Sequence, residues 1–144
     1  KGEIKTLKRE ELKMGYRTSI IAEKGYLVLE AVLQLTDGDR NEIRAMMEDL
    51  KKKRISKQPL EYPSAGSTFK RPKGYFAGKL IMDAGLRGFQ VGGAQVSEKH
   101  CGFVINTGDA TAEDVTELIR QVAERVKAQS GVTLEPEVKL LGEF

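Results

Sequence analysis

The first strongly apolar segment of the chain is YLVLEAVLQL, from Tyr26 to Leu35. Its apolar positions are almost continuous, it is rich in Val and Leu, and Asp37-Gly38 follows it. A short apolar run that ends at turn residues is typical of a buried strand. We therefore predict a largely buried β-strand here, followed by a turn.

The next apolar positions have the spacing of one helix face and are Ile43, Met46, Met47 and Leu50. This i, i+3, i+4, i+7 pattern predicts a helix within residues 38–54, with Asp39 as its cap and both methionines packed in a core. The lysines at 51–53 suit the negative end of the helix dipole.

Helical spacing returns at Ala77, Leu80, Ile81 and Ala84. Gly85 is suited to end that helix in the left-handed conformation. Strand-like segments follow at FQVGGAQVS (89–97) and GFVIN (102–106). Within the first of them, Gly92-Gly93 predicts a bulge or a close backbone approach.

The clearest helix begins at Thr111, where Thr-Ala-Glu-Asp resembles a capping box. Gly131 is suited to end it, and the segment 132–141 then resumes an extended pattern that Pro136 interrupts. The apolar stripe of this helix consists of Val115, Leu118, Ile119, Val122 and Val126.

Together these elements predict an α+β fold with mixed or antiparallel strands. Residues 57–74 look irregular and hold three of the four prolines, so we expect a domain junction there.

Composition excludes several classes of protein. The chain has 144 residues, which suits one domain or two small ones. Its single Cys101 and single His100 argue against an internal disulfide and against a zinc site, and they are compatible with a reducing cytoplasm. No apolar stretch has the length of a membrane span.

Basic residues cluster at 51–54 and 57, and again at 70, 71 and 73, although the net charge is only +3. Three interpretations are open: a solvated helix end with a soluble loop, a pocket for a phosphorylated ligand, or a nucleic-acid surface.

The segment EYPSAGSTFKRP (61–72) surrounds Ser67 with small residues and cations. It has neither the P-loop order nor the Gly-x-Ser-x-Gly order, so a Ser–His hydrolase that uses His100 has no motif support. Ser67 is either an ordinary loop hydrogen-bonder or a hydroxyl held near a reacting atom.

Six segments occur in a fixed order along the chain: GYRTS (15–19), KQP (57–59), PSAGSTFKRP (63–72), AGKLIMDAGLRG (77–88), GGAQVSEKHCGFVIN (92–106) and LEPEV (134–138). Together they resemble the UDP-N-acetylenolpyruvoylglucosamine reductases, also called UDP-N-acetylmuramate dehydrogenases. Each motif is modest alone, but their common register over nearly the whole chain is specific.

The resemblance implies a cytoplasmic flavoenzyme of peptidoglycan precursor synthesis, and hence of cell wall biogenesis, cell shape and division. In that family NADPH reduces FAD, and the flavin passes hydride to UDP-N-acetylglucosamine enolpyruvate to give UDP-N-acetylmuramate. No nucleic acid, membrane or obligate protein partner is implied.

The same resemblance assigns roles to six residues. Ser67 corresponds to the family's proton donor, Arg17 to the arginine that pairs with the substrate carboxylate, and Glu137, rather than Glu135, to the assisting acid. Lys57, Arg71 and His100 correspond to substrate-binding positions, where some family members carry Asn in place of Arg71 and Gln in place of His100. No metal is implied.

The resemblance also implies a division into three parts. Residues 1–56 correspond to the end of the FAD-binding domain, 57–130 to a small α+β substrate-binding domain, and 131–144 to a tail that returns to the core with Glu137. The chain looks like the shorter type, which lacks a tyrosine-bearing insertion, and the family's N-terminal half has no counterpart in it. The alternative is a UDP-sugar-binding module without activity.

Overall fold

The computed structural model describes residues 2–142, which divide into two compact units at Asp39/Arg40. The first unit contains a short 3-10 helix, Arg9–Leu12, and helix α1, Ile20–Lys24. The second contains α2 (Arg40–Lys57), β1 (Ser64–Ser67), α3 (Ala77–Asp83), β2 (Gln90–Val91), β3 (Ala94–Val96), β4 (Phe103–Asn106) and α4 (Ala112–Ser130). The domain boundaries predicted at 56/57 and 130/131 stay predictions.

The four strands form one antiparallel sheet in the order β1-β4-β3-β2, so the predicted α+β class with antiparallel strands is confirmed. Helix α4 packs against β2, β3 and α3. The strand β1 lies at the edge of the sheet, within a stretch that we predicted to be irregular. Only an edge strand tolerates so many breaking residues around it.

Helix α4 is the element that matches its prediction best. The Thr111 hydroxyl accepts a hydrogen bond from the Asp114 N–H, the Asp114 carboxylate accepts one from the Thr111 N–H, and Gly131 ends the helix at φ 72°. The buried positions of its stripe are Leu118, Ile119, Val122 and Val126. Burial of each such side chain stabilises the fold by about 1.5–3 kcal/mol, so this stripe forms a large part of the core.

The Gly92-Gly93 pair is the turn of the β2–β3 hairpin, not a bulge within one strand. The predicted close approach is confirmed, because a Cβ on Gly93 would lie 2.4 Å from the backbone nitrogen of Ala110. The Gly93 carbonyl also accepts hydrogen bonds from the Thr107 N–H and hydroxyl. This turn therefore packs directly against the start of α4.

The predicted buried strand at Tyr26–Leu35 is wrong. The segment has no regular secondary structure, and its leucines and valines are 59–88% exposed. An apolar run indicates that a segment tends to be buried, but a strand also needs a partner strand. No described strand pairs with these residues.

The helical spacing over 38–54 is confirmed by α2, but its predicted packing is wrong. Met46 and Met47 are 64% and 65% exposed, and no residue of α2 is buried. Periodicity shows which face of a helix is apolar and does not show what covers it. Between residues 2 and 142, no helix combines the length and the apolarity needed to cross a bilayer.

Candidate functional site around Ser67

Ser67 ends the edge strand β1 just after a β-bulge. Ser64 pairs with Ile105 and Ser67 with Phe103, so β1 has one residue more than β4 over this interval. Gly66 lies inside the bulge at φ 87°, a conformation that glycine adopts without strain. Bulges redirect side chains, and here the Ser67 side chain is exposed.

Thr68, the next residue, connects three segments of the fold. Its N–H donates to the Gly102 carbonyl at 2.9 Å, its hydroxyl accepts from the Val104 N–H at 3.0 Å, and its carbonyl accepts from the Glu137 N–H at 2.8 Å. Thr68 is buried, with 3% of its surface exposed. The strand β4 and the C-terminal segment are thus both fixed to the residue beside Ser67.

The C-terminal segment lies antiparallel to residues 68–70. Phe69 is bridged to Pro136, and the Lys70 N–H donates to the Glu135 carbonyl at 2.8 Å. The Lys70 ammonium also forms an ion pair with the Glu135 carboxylate. Because Glu137 is hydrogen-bonded to Thr68, it lies on the segment next to Ser67. Leu134 of the same segment is buried in the core, while the predicted catalytic tail over 131–144 stays a prediction.

His100 lies in the turn between β3 and β4. The buried Ser97 hydroxyl accepts from the His100 N–H, and the Nδ1 atom of His100 accepts from the Gly102 N–H at 3.1 Å. Its ring contacts Phe103 edge to face, with 5.0 Å between the ring centroids. Since Phe103 is the cross-strand partner of Ser67, His100 belongs to the same region, with Nδ1 as acceptor and Nε2 as donor.

Two predicted substrate-binding cations lie on either side of β1 in sequence. The Arg71 guanidinium stacks on the Phe76 ring at 4.0 Å, and its Nε donates to the Tyr75 carbonyl at 3.2 Å. Lys57 is the last residue of α2 and is exposed. Arg71 is therefore held in one orientation, as binding a fixed anion requires.

Arg17 lies in the first unit and is described there by itself. It belongs to a tight turn in which Gly15 and Thr18 are bridged, and its φ of 56° is rare for a residue with a side chain. Its guanidinium lies 5.9 Å from the centroid of the Tyr16 ring. Such strained residues cluster at functional sites, since the surrounding structure must maintain them.

An ion pair joins the beginning of the Ser67 segment to the His100 turn. The Lys99 ammonium lies 3.3 Å from the Glu61 carboxylate. The pKa of Glu61 is lowered, mainly by a hydrogen bond from its own backbone amide and further by Lys99. This pair is exposed, so it adds little stability but orients the two loops.

The second unit therefore gathers Ser67, Glu137 and His100 around one buried residue, Thr68. A hydroxyl, a carboxyl and an imidazole N–H together can donate protons and hydrogen bonds to an anionic substrate. We did not identify Thr68 from the sequence. Its hydroxyl matters through contacts with distant residues, and nothing in the local pattern indicates them.

Comparison with known proteins shows the family of this chain. The family model for the C-terminal domain of UDP-N-acetylenolpyruvoylglucosamine reductase matches residues 58–141. Proteins of that name from Agathobacter rectalis and Exiguobacterium sibiricum are 65% and 57% identical to this chain, and each alignment covers 99% of it. The chain spans about half the length of these curated relatives, 46% and 47% respectively.

A solved structure gives the same result. The crystal structure of UDP-N-acetylenolpyruvylglucosamine reductase from Thermus caldophilus aligns with a TM-score of 0.76 and 38% sequence identity, over 90% of this chain and 46% of that one. A family model that matches residues 58–141, together with relatives that align along almost the entire chain, places it without ambiguity. The chain belongs to the UDP-N-acetylenolpyruvoylglucosamine reductase family.

Proposed function

We propose that this chain is the substrate-binding, C-terminal part of a cytoplasmic enzyme that reduces UDP-N-acetylglucosamine enolpyruvate to UDP-N-acetylmuramate for peptidoglycan precursor synthesis, with NADPH and FAD. The observation that supports this most directly is the placement of Glu137 beside exposed Ser67 by the Glu137 N–H to Thr68 carbonyl hydrogen bond. Family membership supplies the reaction class.

The reaction adds two electrons and two hydrogens to a carbon–carbon double bond. Hydride reaches the terminal carbon of the enol ether, and negative charge develops at the neighbouring carbon and spreads into its carboxylate. That neighbouring carbon then accepts the proton of Ser67, which forms a new C–H bond as the Ser67 O–H bond breaks. Solvent later restores the proton to Ser67. A neutral hydroxyl is a weak acid, and a carbanion is one of the few acceptors basic enough for it.

The other residues bind and balance charge in this proposal. Arg17 pairs with the substrate carboxylate as charge accumulates there. Glu137 assists through hydrogen bonding. Lys57 and Arg71 contact the anionic UDP part, where guanidinium and ammonium groups suit a diphosphate. His100 donates a hydrogen bond from Nε2, because Nδ1 already accepts one from Gly102.

Helix α4 does not offer a fitting site for the diphosphate of FAD. That diphosphate needs several free backbone amides or cations, typically at a glycine-rich turn that leads into a helix. Helix α4 follows a strand, but its N-terminus already holds the Asp114 carboxylate, which accepts from the Thr111 N–H. We therefore propose that the flavin contacts come mainly from the part of the relatives' length that this chain does not span.

Ser67→Ala tests the proposal in a chain of the relatives' length. Reduction of FAD by NADPH should keep its normal rate, and reoxidation of the flavin by the UDP-sugar should slow by about 10²–10⁴-fold, as expected for a lost proton donor. Stopped-flow absorbance of the flavin separates these two half-reactions. Ser64→Ala, on the same strand, is the matched control, and normal reoxidation in Ser67→Ala would exclude Ser67 as the donor.

The alternative is that the 144 residues act only as a UDP-sugar-binding module. It is favoured by the poor fit to FAD described above. Titration of this chain with FAD, followed by flavin fluorescence, distinguishes the two. Tight FAD binding by this chain alone would count against the module.

A further inference from the structure

We propose that Thr68 is a positioning residue that holds Ser67, Glu137 and His100 in register for proton delivery. This inference rests on the proposed function and adds a residue to it. Thr68 is 3% exposed, so its role is to place other groups and not to touch the substrate.

The hydroxyl of Thr68 forms a hydrogen bond to β4 next to the bulge in β1. The bulge in β1 interrupts the regular ladder to β4 just before Ser67. Val104, on the opposite strand, is buried, and its N–H donates to the Thr68 hydroxyl at 3.0 Å. A buried N–H without a partner is costly, so removing the hydroxyl would push this part of the sheet to rearrange. The adjacent residue, Ser67, would move with it.

The backbone of Thr68 is also hydrogen-bonded toward the other two residues of the site, Glu137 and His100. Its carbonyl accepts from the Glu137 N–H, which sets the distance between the C-terminal segment and Ser67. Its N–H donates to the carbonyl of Gly102, whose own N–H donates to Nδ1 of His100. One buried residue therefore connects to all three members of the site within the second unit.

Thr68→Val is the direct test, because it keeps the branched shape of the side chain and replaces only the hydroxyl with a methyl group. In a chain of the relatives' length, we expect flavin reoxidation by the UDP-sugar to slow by about 10- to 100-fold, the effect of a small misplacement of reacting groups. Reduction of the flavin by NADPH should not change. The solvent deuterium isotope effect on reoxidation should rise, because proton transfer becomes slower than hydride addition.

Two further variants separate positioning from general stability. Thr68→Ser keeps the hydroxyl and should restore the rate to within about threefold of the unmodified protein. Thr107→Val likewise removes a threonine hydroxyl that is hydrogen-bonded to the backbone of this unit, here by donating to the Gly93 carbonyl, and should leave both half-reactions unchanged. If Thr68→Val does not fold, Thr68→Cys, with its weak acceptor, replaces it with the same expectations.

The outcomes distinguish this inference from the proposed function. Slow reoxidation in Ser67→Ala together with a normal rate and isotope effect in Thr68→Val would overturn the role of Thr68 alone. Normal reoxidation in Ser67→Ala would overturn both. An equal loss of rate in Thr107→Val would also refute the positioning role, because it would reflect lost stability.

Discussion

Gly102→Ala should displace His100 while leaving the backbone of the fold intact. The new Cβ would lie 2.9 Å from Cε1 and 3.1 Å from Nδ1 of His100. Carbon atoms in contact prefer about 3.5–4.0 Å, so the ring must move away by roughly 0.5–1 Å. Because the ring belongs to an exposed side chain, it can move without unfolding the turn.

The movement stretches the hydrogen bond from the Gly102 N–H to Nδ1, now 3.1 Å, and redirects Nε2. If Nε2 donates one neutral hydrogen bond to the UDP-sugar, its net value is about 0.5–1.5 kcal/mol. That loss corresponds to a Kd about 2- to 12-fold higher. Calorimetry with the UDP-sugar and oxidised enzyme, without NADPH, measures the Kd in the absence of turnover.

A double-mutant cycle shows whether the effect passes through His100. Gly102→Ala should weaken binding in the natural background and add almost nothing in a His100→Ala background. Thermal denaturation of all four proteins checks that the fold is retained. An unchanged Kd in Gly102→Ala, or a loss that is fully additive with His100→Ala, would refute the placement of His100 in the substrate site.

Three further substitutions should change stability, its pH dependence, or substrate reduction. Gly93→Ala should lower the free energy of unfolding by about 2–4 kcal/mol, since its Cβ would lie 2.4 Å from the backbone nitrogen of Ala110, which cannot swing aside; an unchanged urea midpoint would contradict this. The pKa of Asp114 is lowered from 3.8, chiefly by the hydrogen bond from the Thr111 N–H, so its stabilising effect is present above pH 3.8 and is lost as the pH falls through the lowered pKa; urea denaturation at pH 7 and at successively lower pH values below 3.8 should show the destabilisation by Asp114→Asn shrinking as the pH falls. Arg17→Gly should relieve about 1 kcal/mol of left-handed strain yet abolish most substrate reduction, which melting temperature and flavin reoxidation would show separately.

The sequence predicted those elements whose causes are local. Helix α4 has its cap, stripe and terminating glycine within residues 111–131, so the pattern alone defines it. The strand predicted at Tyr26–Leu35 failed because strand formation depends on a partner elsewhere in the chain. The same limit explains why α2 was correct as a helix and wrong as a core element.

The residues of the candidate site likewise depend on contacts between distant parts of the chain, which local patterns do not predict. Ser67 and Glu137 are far apart in sequence, and only the resemblance to a family predicted that they act together. In the structure, the Glu137 N–H is hydrogen-bonded to Thr68, the residue next to Ser67. The resemblance assigned the proton donor to Ser67 and gave no role to the adjacent Thr68, which the structure shows to be buried. Its structural role depends on Gly102, Val104 and Glu137 together, which no spacing rule connects.

The pairing between residues 68–70 and 135–137 has a consequence for how often the candidate site is assembled. Pro136 lies opposite Phe69 at a position where the two flanking backbone hydrogen bonds do not use its nitrogen, so its missing N–H costs this pairing no bond. The segment is held by those two hydrogen bonds, the buried Leu134 side chain and the exposed Lys70–Glu135 ion pair. Such a short contact opens and closes as one unit, so the amide hydrogens of Lys70 and Glu137 should exchange with a shared opening constant. Because salt screens exposed ion pairs, raising the ionic strength should lower the fraction of molecules in which Glu137 is in place. Salt would thus change the number of assembled sites, while each assembled site keeps its intrinsic rate.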